Sequence, residues 1–124
     1  PTAMTVDALA ADGVFLGGVI VPGVKLMRQA LQQRTARVAD VAGEMRAFPR
    51  TTADAVHSGI LAALCGTIRQ QYAQLAEAAG KPPRCLLTGG DAPMLSQHLN
   101  LPGEWVPALV LEGIHCVAVE RTTR

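Results

Sequence analysis

Apolar residues in the middle of the chain recur at Val56, Ile60, Leu64, Ile68, Tyr72 and Leu75, in steps of four with one of three. That spacing marks one face of an α-helix and predicts a helix from Thr52 to about Ala79. At about 1.5 Å per residue it would run roughly 40 Å, the width of a small domain. Nothing else in the sequence is as long or as regular, so the other elements are expected to pack on it. Thr52 reads as its N-cap, and Asp54 in the first turn suits the helix dipole. Gly80 followed by Lys81-Pro82-Pro83 stops it.

Upstream, Thr5 to Ala10 is apolar except for Asp7, and Val14 to Val21 is apolar and β-branched. Two such runs around Asp12-Gly13 predict a hairpin. Gly17-Gly18 inside the second run predicts a bulge or a close approach to the backbone. After Pro22-Gly23, a helix from Val24 to about Gln33 carries Leu26, Met27, Ala30 and Leu31 on one side, with Lys25, Arg28 and Arg34 largely turned away. Thr35 to Met45 reads as a connecting loop. Downstream of the long helix, Cys85-Leu86-Leu87 predicts a short buried strand. It runs into Thr88-Gly89-Gly90-Asp91 and a helix with Pro93 near its start, to about Leu99. Such a turn exposes backbone N–H groups to a ligand, although many α/β proteins turn this way for geometry alone. Ala108 to Val119 predicts a last helix, with a frayed tail from Glu120 to Arg124.

Composition narrows the class without naming a chemistry. The 124 residues suit one domain, and 49% apolar with 17% charged residues is globular rather than disordered. A net charge of +1 gives no reason to expect nucleic acid or an anionic membrane as partner. No apolar run is long enough for a transmembrane helix, and the start lacks the features of a signal peptide. Cys65, Cys85 and Cys116 are far apart and odd in number, which points to unpaired thiols in a reducing cytoplasm. Pro1 opens the chain inside a β-prone run with no initiator methionine, as expected of a processed chain or a fragment.

No convincing catalytic set stands out. Ser58 and Ser96 lack a glycine elbow, and there is neither a P-loop nor a His-Glu-x-x-His spacing. His57 and His98 read as solvated, and His115 beside Cys116 points elsewhere on a helix. Three loops at strand ends remain as ligand cradles: Pro1-Thr2-Ala3, Gly17 to Gly23, and Thr88 to Asp91. They suggest part of a nucleotide- or metabolite-binding protein.

Those loops, in that order, carry a family resemblance. Gly17-Gly18-Val19-Ile20-Val21-Pro22-Gly23 followed by Lys25-Leu26-Met27 resembles the Gly-Gly-x-Ile-x-Pro-Gly segment of type III pantothenate kinases, also named after Bvg accessory factor. Thr35-Ala36, Thr52-Ala53-Asp54-Ala55-Val56 with Gly59, Thr88-Gly89-Gly90-Asp91-Ala92 and Val110-Leu111-Glu112-Gly113 extend the resemblance over nearly the whole chain. It corresponds to about the C-terminal half of the family's protein. The implied fold is α/β: the second ribonuclease H-like lobe of an acetate- and sugar-kinase/actin-like fold, with a long central helix. Residues 1–124 would form that lobe.

The implied activity is transfer of the γ-phosphoryl of ATP to pantothenate, the first step of coenzyme A synthesis. It implies a divalent metal such as magnesium, a monovalent cation (potassium or ammonium), and a homodimer through the 52–79 helix. Position by position, the resemblance puts Thr2 in the second phosphate loop, with Pro1 where the family has glycine. Proline there lacks the N–H donor and glycine's freedom. Ile20 borders the pantothenate site, Gly89 and Gly90 lie against adenosine, and Thr52 contacts pantothenate in the other subunit's site. The family's first phosphate loop, its Gly-x-Asp-Arg segment with the catalytic aspartate, and the aspartate that binds the monovalent cation match nothing here. No catalytic or metal-binding residue is therefore assigned to this chain, and alone it is expected to be inactive. The alternative is a non-catalytic dimerisation or regulatory domain derived from the kinase.

Overall fold

The computed structural model describes residues 3–34 and 42–123. Two compact units divide the chain, Pro1–Pro83 and Arg84–Arg124. Among the described residues there are four helices and two small two-stranded sheets.

In the first unit, β1 (Ala3–Leu9) and β2 (Phe15–Pro22) form the predicted antiparallel hairpin. Gly13 turns the chain at φ 86°, and the Asp12 carboxylate accepts from the Val14 N–H at 3.1 Å. Both expectations for Gly17-Gly18 are met, one at each residue. The register slips at Ala8/Leu9, where Gly17 takes φ 125°, so a bulge sits there. Gly18 pairs with Asp7, and a Cβ on Gly18 would overlap the Asp7 carboxylate and the Val6 carbonyl. Met4, Val6 and Ala8 with Val19 and Val21 make the half-buried face of the hairpin, and β1 packs against the long helix. Thr5, Asp7, Gly18 and Ile20 occupy the open face.

Helix α1 (Val24–Arg34) follows directly. Helix α2 (Thr52–Ala79) has the predicted bounds and 28 residues, and it ends at Gly80 in the left-handed conformation. Two details of the prediction change. The N-cap is Thr51, not Thr52: Thr51 is extended and its hydroxyl accepts from the Asp54 N–H at 3.2 Å. Thr52 is thereby the first residue of the helix proper. The buried face comprises Ser58, Ile60, Leu61, Leu64, Cys65 and Ile68, whereas Val56, Tyr72 and Leu75 are half-buried. Steps of four drift by about 40° each on a helix of 3.6 residues per turn, so a run of such steps winds off any single face.

In the second unit, β3 (Leu86–Leu87) pairs in parallel with β4 (Glu104–Trp105). The pair is two residues long, so one side chain of β3 faces inward: Leu87 is buried and Leu86 exposed. Helix α3 (Ala92–His98) buries Ala92 and Leu95, and Leu99 after it is fully buried. Helix α4 (Leu109–Thr122) continues through the segment expected to fray, and none of its residues is buried.

The reassigned cap has a measurable consequence. Thr51→Ala is expected to destabilise the chain by about 1 kcal/mol, the usual value of an N-cap. Thr52→Ala should cost a fraction of that. Chemical denaturation of the two variants checks the order.

Candidate functional site

An apolar groove of about 620 Å³ runs between α1 and α2. One wall is the α1 face picked out by the sequence pattern, Leu26, Met27, Ala30 and Leu31. The other is Thr52, Ala55, Val56, Gly59 and Ile60 of α2, with Pro22 closing one end. Small residues keep the α2 wall low: Gly59 meets nothing within 4 Å where its side chain would begin. Thr52 is exposed on this wall and is the one hydroxyl among the lining residues. Ile20 lies outside the groove, on the open face of the hairpin and 75% exposed. Thr2 lies outside the described residues, as do Thr35 and Ala36.

Away from the groove, α1 and α2 are joined by a polar contact absent from the sequence reading. Arg28 Nη2 lies 3.4 Å from His57 Nδ1, and both side chains are partly buried. A guanidinium only donates, so Nδ1 accepts and the imidazole proton sits on Nε2. His57 is thus a helix–helix contact, where a solvated residue was expected.

The segment before α2 carries a further polar set. The Glu44 N–H donates to Asp54 Oδ1 at 2.8 Å, the Arg46 N–H donates to Ser58 Oγ at 2.9 Å, and the Ser58 hydroxyl donates to the Glu44 carbonyl at 3.3 Å. The Glu44 N–H is the largest influence holding the Asp54 carboxyl below its ordinary value; the Thr51 hydroxyl and the charge of Arg46 act in the same direction. Sequence reasoning placed Ser58 only as an unsupported nucleophile. Polar residues four apart on an otherwise apolar stretch, Asp54 and Ser58, were the available signal.

The second unit holds the other candidate loop, Thr88–Asp91. It leaves β3 and enters α3, with the Ala92 N–H on the Gly89 carbonyl at 3.3 Å. Gly89 takes φ 96°, which favours glycine. Gly90 is different: its φ is not in the left-handed region and no atom lies within 4 Å of its Cβ position. The chain's own packing does not require glycine there. Both residues are exposed, and the Thr88 hydroxyl donates to the Pro107 carbonyl at 3.4 Å.

The thiols form no set. Cys65 is buried, Cys85 half-buried and Cys116 exposed, and burial pushes the Cys65 and Cys85 thiols up, away from the reactive thiolate. Among the described residues, no three His, Cys, Asp or Glu side chains come together as a metal-ligand set, and no helix is long and apolar enough to cross a membrane.

A hairpin with a glycine bulge and a helix pair beside a groove in the first unit, and a Thr-Gly-Gly loop between strand and helix in the second, make this a mixed α/β protein. The model of the family "Type III pantothenate kinase" matches residues 1–74, and the chain belongs to that family. Curated type III pantothenate kinases are similar along almost all of it. That of Thiobacillus denitrificans is 59% identical, covering 94% of this chain and 48% of its own length. That of Laribacter hongkongensis is 44% identical over 91% of this chain and 47% of its own. The chain therefore spans about half the length of these relatives. Among solved structures, a conserved putative Baf family transcriptional activator from Campylobacter jejuni matches with a TM-score of 0.72 at 23% identity, over 99% of this chain and 56% of that one. That likeness concerns the fold.

Asp54 predicts a pH dependence with a definite sign. Its folded-state pKa is lowered, so its contribution to stability is present above the ordinary carboxylate range and lost as pH falls through the folded value. Asp54→Asn is expected to remove the part of the acid-induced loss of stability that sets in as pH falls below the ordinary carboxylate range. Denaturation midpoints of both proteins across that range check it.

Proposed function

We propose that this chain supplies the second lobe's share of an ATP-dependent pantothenate kinase, which makes 4'-phosphopantothenate in the first step of coenzyme A synthesis. The observation that carries the reading is Thr52: an exposed hydroxyl at the first turn of α2, on the wall of an otherwise apolar groove, in a chain of the pantothenate kinase family. Pantothenate has hydroxyl, amide and carboxylate groups on a short aliphatic frame. The apolar walls suit the aliphatic frame, and the Thr52 hydroxyl suits one of its polar groups. In this reading Thr52 reaches the pantothenate of a neighbouring subunit, in a homodimer formed through the 52–79 helix.

The lobe would be ribonuclease H-like, within an acetate- and sugar-kinase/actin-like fold. Gly89 and Gly90 would lie against adenosine; the open space at Gly90 supports this, because the chain's own packing leaves it unfilled. Ile20 would border the pantothenate site and Thr2 the phosphates. ATP would come with a divalent cation such as magnesium, and a monovalent cation would assist. Neither ion is assigned to residues of this chain. Phosphoryl transfer depends mainly on positioning and charge stabilisation. This chain's part is to orient pantothenate and the nucleotide; no residue in it is assigned as the base that takes the hydroxyl proton. A cytoplasmic location goes with this reading.

Two outcomes follow. The 124-residue chain alone should show no ATP- and pantothenate-dependent turnover in a coupled assay; turnover would overturn the division of labour. In a complete enzyme carrying this segment, Thr52→Ala should raise the KM for pantothenate about 3- to 10-fold, the value of one hydrogen bond. An unchanged KM would favour a non-catalytic dimerisation or regulatory domain.

A further inference from the structure

The helix that carries Thr52 is held from behind. At about 100° per residue, Thr52, Ala55, Val56, Gly59 and Ile60 share the groove side of α2, while Asp54 and Ser58 fall on the far side. It is there that residues 43–46 lie along the helix. Three hydrogen bonds fasten them: the Glu44 N–H to Asp54 Oδ1, the Arg46 N–H to Ser58 Oγ, and the Ser58 hydroxyl to the Glu44 carbonyl. The backbones also meet directly, since a Cβ on Gly43 would overlap the Ala53 carbonyl. Ser58 is only 5% exposed, so its oxygen depends on these partners.

This fastening occurs in the first turns of the helix, ahead of its fully buried apolar residues. The fully buried apolar residues of α2 begin at Ile60, two turns after Thr52. A helix end frays unless its first turns are capped or packed. Thr51 supplies the cap, and the 43–46 segment supplies the packing. We propose that residues 43–46 are a strap, and that Asp54 and Ser58 are positioning residues which hold the first two turns of α2 so that Thr52 stays fixed at the groove. The proposal rests on the reading of Thr52 as a pantothenate contact. It assigns no contact with substrate to Asp54 or Ser58.

The test has two arms. In the first, amide hydrogen exchange is followed in the 124-residue chain. Asp54→Ala should speed exchange at Glu44 about tenfold and Ser58→Ala should do the same at Arg46. Both should speed exchange in the first two turns of α2 and leave Leu61 to Ile68 unchanged. Asp54→Asn keeps an oxygen acceptor and should retain most of the protection at Glu44. Unchanged exchange at Glu44 and Arg46 overturns the strap outright. In the second arm, the complete enzyme carrying Asp54→Ala or Ser58→Ala should show a 3- to 10-fold higher KM for pantothenate at nearly constant KM for ATP, with Asp54→Asn close to the parent. If Thr52→Ala raises that KM and the strap variants do not, the positioning role is overturned while the substrate reading stands. If Thr52→Ala leaves the KM unchanged, the substrate reading falls, and the positioning role falls with it.

Discussion

Burial of one face of α2 is the constraint on which the first unit depends. Ile60, Leu61, Leu64, Cys65 and Ile68 are each at most 5% exposed, and burying each large aliphatic side chain contributes roughly 1.5–3 kcal/mol. This fixes the helix's rotation. With the buried face inward, Thr52, Val56 and Gly59 must face the other way, into the groove shared with α1. The same rotation sets Asp54 and Ser58 toward the residue 43–46 segment. One helix thus presents a packed face, continued toward its N-terminus by Asp54 and Ser58, and a groove wall on the opposite side, and the first determines the second.

The hairpin and the Thr88–Asp91 loop show glycine used for different reasons. Gly17 and Gly89 adopt backbone conformations that side chains resist, at φ 125° and 96°. Gly18 is required by crowding against Asp7. Gly90 is required by neither, and the proposed adenosine contact gives its bareness a purpose. The free space around Gly59 likewise suits a wall meant to be approached from outside the chain.

Much of this was legible in the sequence. The hairpin, α1, the bounds of α2 and its glycine stop follow from local periodicity and turn chemistry, which need no knowledge of distant contacts. The apolar set on α1 was visible too, although not that it would line a groove. What escaped had non-local causes. Thr51 rather than Thr52 caps the helix, a choice between neighbouring threonines that depends on which one stays extended. The strap joins residues ten to fourteen apart through backbone groups, and backbone donors leave no trace in a sequence. The Arg28–His57 contact spans 29 positions, and each residue alone reads as solvated. Of the predicted apolar stripe, Ile60, Leu64 and Ile68 are buried and Val56, Tyr72 and Leu75 half-buried, because steps of four wind slowly around the helix.

Similarity over residues 1–74 and along curated relatives places the chain in the type III pantothenate kinase family, and Thr52 is the residue on which the proposed function turns. The central claim is that the Thr52 side chain touches bound pantothenate. The most direct measurement is an isotope-edited nuclear Overhauser spectrum of the complete enzyme, with labelled threonine methyls and saturating pantothenate. The account predicts cross-peaks between the Thr52 methyl and pantothenate protons, lost in Thr52→Ser. A saturated complex with no transfer to the Thr52 methyl would contradict it.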